Sequence, residues 1–197
     1  MTKQKLVLLL TVFIDMICFS MIFPVLPYFV KELHLSDIIV GIAAASFALF
    51  NFLFSPLWGG MSDRRGRRPV MLISIAIALF ANLLLAATNS MVLLFAARIL
   101  AGIGSANISV AQAYMADISK PEDRTQNLGM MGAVFGLGFI IGPVVGGILK
   151  SWSGEGSVFW VGAGAAILNV LNFLWAYTSL KESNQHRNPD STRSLNP

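Results

Sequence analysis

The sequence predicts an all-α integral membrane protein with six transmembrane helices. Three observations lead there. The 197 residues are 55% hydrophobic and 12% charged, and that charged share is about half that of an ordinary soluble domain, too few charges to cover a soluble surface of this size. Uncharged runs recur that are long enough to cross the hydrocarbon core, which takes about 20 apolar residues. The basic residues gather in alternate loops instead of spreading evenly. The same composition excludes other classes. Its apolar content excludes disorder. A single cysteine, Cys18, excludes a disulfide scaffold. Only His34 and His186 could join it, so no metal site is expected. The runs lack sustained alternation and are too long for transmembrane strands of about 10 residues.

The first helix covers about residues 6–30, where Asp15 is the one charge. Lys3 and Lys5 ahead of an apolar stretch resemble a secretory leader. The stretch is long, however, holds Asp15 and offers no small-residue cleavage site after a short core, so it is expected to stay as a helix. The second helix, about 38–59, lies in the uncharged run from Ile38 to Ser62. Pro69 to Ala116 holds one charge, Arg98, and is long enough for two helices. The polar break Thr88-Asn89-Ser90 divides it into about 69–88 and 91–116. Uncharged runs from Thr125 to Leu149 and Gly156 to Leu180 give the fifth helix, about 125–149, and the sixth, about 157–179. Residues 1–180 thus form one bundle. Residues 181–197 are polar, rich in Asn, Ser, Arg and Pro, without an apolar face, and read as a cytoplasmic linker.

Of the 14 Lys and Arg, one side of the membrane collects Lys3, Lys5, Arg64, Arg65, Arg67, Arg68, Lys120, Arg124, Lys181, Arg187 and Arg193. The other side holds Lys31 and Lys150, and Arg98 lies within a helix. That asymmetry places both termini in the cytoplasm of an inner (plasma) membrane. The basic loops then serve as topology anchors beside membrane lipid, and no nucleic-acid partner is expected. Trp58, Trp152, Trp160 and Trp175 fall near the expected interfaces, which suits anchoring.

The second helix ends in Pro56-Leu57-Trp58-Gly59-Gly60 and the fifth in Pro143-Val144-Val145-Gly146-Gly147. Both read Pro-x-x-Gly-Gly, which sets the second helix opposite the fifth, as expected for a 3+3 inverted repeat. The loop after the second helix reads Gly59-Gly60-Met61-Ser62-Asp63-Arg64-Arg65-Gly66-Arg67-Arg68-Pro69. Gly66 permits a tight turn with positive φ. Pro69 suits the start of a helix, where a missing N–H costs nothing. Asp63 among four arginines can form charge-assisted pairs that latch this end; the alternative is an anchor loop with an incidental acid.

The ordered pattern Gly-x-x-x-Asp-Arg-x-Gly-Arg-Arg resembles the signature loop of the major facilitator superfamily. Four more segments are similar to that family. The fourth helix reads Leu94-x-x-x-Arg98-x-x-Ala101-Gly102-x-Gly104-Ser105-Ala106, departing at Ala101 where a Gln is common. The fifth reads Gly138-x-x-x-Gly142-Pro143-x-x-Gly146-Gly147, similar to the antiporter branches. The first carries Asp15 and then Pro24-Val25-Leu26-Pro27, and Ala113-Tyr114-Met115-Ala116-Asp117-Ile118 with Arg124 beyond it resembles the drug–proton antiporters. The resemblance implies a twelve-helix transporter of which this chain is the N-terminal half. It implies tetracycline or multidrug efflux by alternating access, and it implies that Asp117 pairs with the loop, at Arg67. It also implies that the fifth-helix motif seals the cavity and packs against the other half.

Asp15 lies about nine residues into the first helix, so ~13 Å deep, and Arg98 about seven residues into the fourth, ~11 Å deep, at 1.5 Å per residue. A charge at such depth is a candidate for function. A carboxylate that moves between a buried setting and one beside an arginine binds and releases a proton; a static ion pair between the first and fourth helices is the alternative. Gly138, Gly142 and Gly146 share a helix face and allow close approach, and Pro143 is placed to bend the helix. Asn51, Asn107 and Gln112 are the cavity-lining candidates, from a wider set that includes Asn82, Asn169 and Asn172. Phe13, Phe19, Phe47 and Phe50 are candidates for an apolar wall, while Cys18 and His34 read as structural.

These expectations describe a proton-coupled exporter of a small organic solute, not an enzyme, with no cofactor or metal. Asp15 carries the proton or binds a cationic or metal-chelated drug, Arg98 tunes Asp15, and Gly59, Asp63, Arg64, Gly66, Arg67, Arg68, Asp117 and Arg124 gate. Its partner is a second six-helix half, from the same protein or from another chain. The alternatives are a proton-independent or uptake transporter of the same fold, and a six-helix scaffold that moves nothing.

Overall fold

A computed structural model describes residues 2–32, 34, 36–105, 107–153 and 158–183, apart from the side chains of Glu32 and Asn107. These residues are helical throughout their regular structure. In order come α1 (Lys3–Ser20), α2 (Leu26–Glu32), α3 (Ile38–Arg65), α4 (Arg67–Ala86), α5 (Met91–Gly104), α6 (Asn107–Asp117), a 3₁₀ turn (Pro121–Asp123), α7 (Arg124–Trp152) and α8 (Phe159–Ser179). Among the described residues, five stretches are long and apolar enough to cross a membrane: α3, α4, Met91–Asp117, Pro121–Trp152 and α8.

The first expected helix, 6–30, is interrupted. Pro24 and Pro27 bring no N–H to the ladder. Between α1 and α2 the chain tightens instead, with Phe23 N–H donating to the Ser20 carbonyl (3.2 Å) and Val25 N–H to Ile22 (3.0 Å). The fourth expected helix is likewise divided, into α5 and α6. By contrast α3 and α7 run unbroken past their single prolines, Pro56 and Pro143. A lone proline removes one hydrogen bond and leaves the rest of the ladder to hold the helix, even where, as at Pro56, it stands exposed. The turn before α4 rests on Gly66, whose φ is 105°. Here α4 starts at Arg67, so Pro69 sits inside the first turn, where an N–H is still without an intrahelical partner.

Helix pairing follows small residues. α1 packs against α7 and α8, α5 against α3 and α4, and α4 against α8. On α7 the buried Gly138, Gly142 and Gly146 face α1: a Cβ at Gly138 would stand 2.5 Å from Met16 Cβ, one at Gly142 would overlap the Ser20 hydroxyl, and one at Gly146 would overlap the Met21 carbonyl. The expectation that this stripe meets the other half is therefore corrected. Its face is already filled by α1, and Ser20 Oγ donates across the contact to the Gly138 carbonyl (3.0 Å). Gly147 has open space where a Cβ would stand. On α5, a Cβ at Gly102 would likewise stand 2.5 Å from the Phe47 carbonyl oxygen of α3.

Two apolar cores result. One gathers Val7, Leu8, Val12, Val70, Met71, Val110, Tyr114 and Met115. The other gathers Met21, Val25, Phe29, Leu85, Leu94, Ala97 and Val161. Between them along the helices lies a layer that holds Asp15, Asn82, Arg98, Asn169 and Asn172. Trp58 is also corrected: it is buried and donates from Nε1 to the Ile103 carbonyl at 2.7 Å, joining α3 to α5 instead of anchoring at an interface. Trp152, Trp160 and Trp175 are exposed.

Candidate functional site

The polar layer encloses a cleft. Asp15, Cys18, Ser74, Asn82, Arg98, Ser105 and Asn169 supply its polar lining, from α1, α4, α5 and α8 and the end of α5. About 50 Å³ within it admits water, room for roughly three or four molecules. Asp15 is half-buried, and its Oδ1 accepts from Asn172 Nδ2 at 2.9 Å. That amide also donates to the Thr11 carbonyl at 3.1 Å. Both of its neighbours are acceptors, so the orientation of Asn172 is determined by α1. Arg98 is 5% exposed, and its Nε has no hydrogen-bond partner. A guanidinium buried within a span costs several kcal/mol unless it is hydrated or paired, which makes its opening onto the cleft the notable fact. Cys18, read from sequence as structural, donates to the Ala165 carbonyl at 3.6 Å and lines the cleft.

Met16, Phe19, Phe47, Ser105 and Ile108 are shared with a second, larger groove of about 470 Å³, which Phe52, Phe135 and Phe139 make strongly apolar. That volume falls in the ordinary range for pockets that hold drug-sized ligands. Phe19 lies at the centre of its aromatic wall, with ring centroids 4.7 Å from Phe47 and 5.6 Å from Phe139. Phe13 and Phe50 are not part of it, and Phe50 pairs with Phe54 instead.

Of the three expected cavity residues, Asn51 lines the groove and donates to Ser105 Oγ at 2.8 Å. The side chain of Asn107 lies outside the described residues. Gln112 is corrected: it is exposed, one turn past Ile108 on α6, and lines neither cavity. Asn169 and Asn172, spaced three apart on one face of α8, take the inward places. The signal for them was present in the sequence, as two amides in an uncharged span, but nothing in it ranked them above the others.

At one end of the bundle a latch forms. Arg67 donates from Nη1 to Asp63 Oδ1 and Ser62 Oγ, both 2.6 Å, and from Nε to Asp117 Oδ2 at 3.0 Å. Shielded bonds to charged groups contribute about 1.5–3 kcal/mol each; the exposed Asp63 arm contributes less. Glu182, which sequence reasoning missed, accepts from the backbone N–H of Arg67 (2.8 Å) and of Arg68 (3.3 Å). A carboxylate there satisfies two free donors at the start of α4 and complements its dipole. Arg68 donates to the Tyr177 carbonyl at 2.6 Å and lies 5.5 Å above that ring. Tyr114 donates to Gln4 and to the Lys181 carbonyl, tying α6, α1 and the end of α8 together. Gly59 accepts from the Ser62 hydroxyl. Arg64 is exposed at the end of α3, and Arg124 is exposed at the start of α7.

A helical bundle with a charged, hydratable cleft between two apolar cores, opening on an aromatic groove, is the architecture of a membrane protein that handles a solute within the bilayer. Comparison with known proteins agrees. A family model described as the Major Facilitator Superfamily matches residues 8–196. A tetracycline resistance protein of class C from Escherichia coli is 40% identical over 98% of this chain and 48% of its own length. The class B protein from Escherichia coli is 37% identical over 97% of this chain and 47% of its own. Among solved structures, the human organic anion transporter MFSD10 superposes with a TM-score of 0.81 at 24% identity, over 95% of this chain and 50% of that one, a likeness of fold. The chain belongs to the Major Facilitator Superfamily, a family of transporters and not of enzymes, and it is an integral membrane protein. It spans about half the length of the relatives it matches.

Proposed function

We propose that this chain is the N-terminal half of a secondary transporter that exports a drug-like organic solute, tetracycline-like in class, in exchange for protons. One observation carries the reading: Asp15 and Arg98, opposite charges in spans otherwise free of charge, line a single cleft that continues into the aromatic groove. The solute occupies the groove, which has the size for it, and Asp15 takes up and releases the proton in the cleft, which does not. The names of the tetracycline resistance relatives support the solute class. The proton gradient supplies the drive, with no cofactor.

In this reading the bundle, residues 1–180, has six spans in two inverted trios, with 181–197 as a linker. The pairing pattern supports it. First on fifth mirrors fourth on second, first on sixth mirrors fourth on third, and the first span of each trio is the divided one. The latch end, rich in arginine, lies in the cytoplasm of the inner membrane with both termini. Asp63, Arg67 and Asp117 hold one access state and separate in the other. A second six-helix half completes the solute path. It covers apolar residues that stand exposed here, such as Phe52, Leu57, Ile140 and Val144.

The test is solute uptake into everted vesicles carrying the complete transporter. Accumulation on energisation, collapsing when a protonophore is added, is the expected result. Uptake indifferent to an imposed pH gradient would remove proton coupling from the reading.

A further inference from the structure

Among the described residues, several buried polar atoms in and beside the cleft have no protein partner. In the cleft these are the amide nitrogen and oxygen of Asn169 and Arg98 Nε, and the Asn172 oxygen, three residues further along α8, is in the same condition. Asn169 is 1% exposed and Asn172 fully buried. Turning the Asn169 amide over does not help, because both its ends are unpartnered. Buried polar atoms left in this condition are rare and costly, and in native proteins ordered water satisfies them. The cleft that Asn169 and Arg98 line has room for roughly three or four waters, and Asp15, Ser74, Asn82 and Ser105 add polar groups to its lining.

We propose that this cleft holds a fixed water cluster that links Asp15 to Arg98, and that Asn169 is the positioning residue that orders it for proton movement. The inference rests on the reading of Asp15 as the proton carrier. When protonated Asp15 ionises, its O–H bond breaks and a new O–H bond forms on the first water. The excess proton leaves along the cluster toward the groove through the shared Ser105 end, and the carboxylate stays in the cleft with Arg98. Uptake runs the same steps in reverse. Asn169 can both accept from one water and donate to another, so it sets their direction without itself changing protonation. Among the described residues, the titratable groups that line the cleft together with Asp15 are Arg98 on α5 and Cys18 on α1. From α7 the contact is made by Gly138 and its neighbours, from α8 by Asn169 and Asn172, and Tyr114 of α6 turns instead to Gln4 and Lys181.

The order of effects in a substitution pair separates this role from simple packing. Asn169→Leu keeps the volume and displaces water from its polar partners. Asn169→Ala leaves space that another water fills. In the complete transporter, Asn169→Leu is expected to lower gradient-driven export about tenfold or more and to shift its pH profile, with solute binding kept, whereas Asn169→Ala, which admits water but no longer orders it, loses less export and shifts the pH profile in the same direction. A packing residue gives the opposite order, with alanine the worse of the two because it leaves a cavity. That order, or an Asn169→Leu variant with the export rate and pH profile of the parent, overturns the proposal. Should Asn169→Leu fail to reach the membrane, Asn169→Gln takes its place, expected to export with an altered pH midpoint; an unaltered midpoint overturns the proposal as well. Asp15→Asn, run in parallel, keeps the two readings apart. If that variant still exports by proton coupling, the proton-carrier reading has failed. If it does not, and Asn169→Leu behaves as the parent, only the water cluster has.

Discussion

Alanine in place of Gly146 is expected to destabilise the bundle by about 3 kcal/mol or more, at the upper end of what overpacking a tight contact costs. The added Cβ overlaps the Met21 carbonyl and stands 2.9 Å from its carbon and 3.0 Å from its Cα. These are backbone atoms at the very point where α1 gives way to the turn before α2, and no rotamer change moves them. α7 must therefore withdraw from α1, which also weakens the Ser20–Gly138 hydrogen bond two turns away. The neighbouring Gly147 has nothing within 4 Å of its Cβ position, so Gly147→Ala serves as the control and is expected to lie within a few tenths of a kcal/mol of the parent, helped slightly by propensity. Thermal unfolding of the two purified variants in detergent measures the difference. Equal unfolding temperatures would mean that the stripe does not hold α7 to α1.

The largest functional effect belongs to Asp15. In the complete transporter, Asp15→Asn is expected to reduce export against a gradient by about 100-fold or more, the scale of losing a proton-transfer group. The substitution preserves volume and keeps an oxygen that accepts from Asn172 Nδ2, so the α1–α8 contact survives. What disappears is the titratable charge. Protein amount in the membrane should hold steady or rise, because the cost of a charge at this depth is relieved. Full export by this variant would assign proton coupling, if present, to another residue.

The spans were legible because charge is expensive in a bilayer, and its absence marks them directly. Runs such as Ile38–Ser62 and Thr125–Leu149 lie within helices of the structure, α3 and α7. The divisions of the first and fourth expected helices were not recognised, although Pro24, Pro27 and the small residues near Ser105 stood in plain sight. Whether a proline breaks a helix depends on what packs beside it, and Pro56 and Pro143 break nothing. The Gly138–Gly142–Gly146 spacing identified a shared face but not its partner, since close approach looks the same from either side. Hence α1 was missed and the second half named in its place. Asp15 and Arg98 stood out as charges in apolar surroundings. The asparagines did not sort themselves, because which of Asn51, Asn82, Asn169 and Asn172 turn inward is decided by helix pairing and not by chemistry. Glu182 was out of reach for a related reason: its role at the start of α4 joins positions more than a hundred residues apart.

The proposed exchange requires that solute binding in the groove release the proton held at Asp15. Its most direct test is the pH change when solute is added to the purified complete transporter in weak buffer. The expected result is proton release on solute binding by the parent, and binding without release by Asp15→Asn. Binding by the parent without proton release, or release undiminished in Asp15→Asn, would contradict the account.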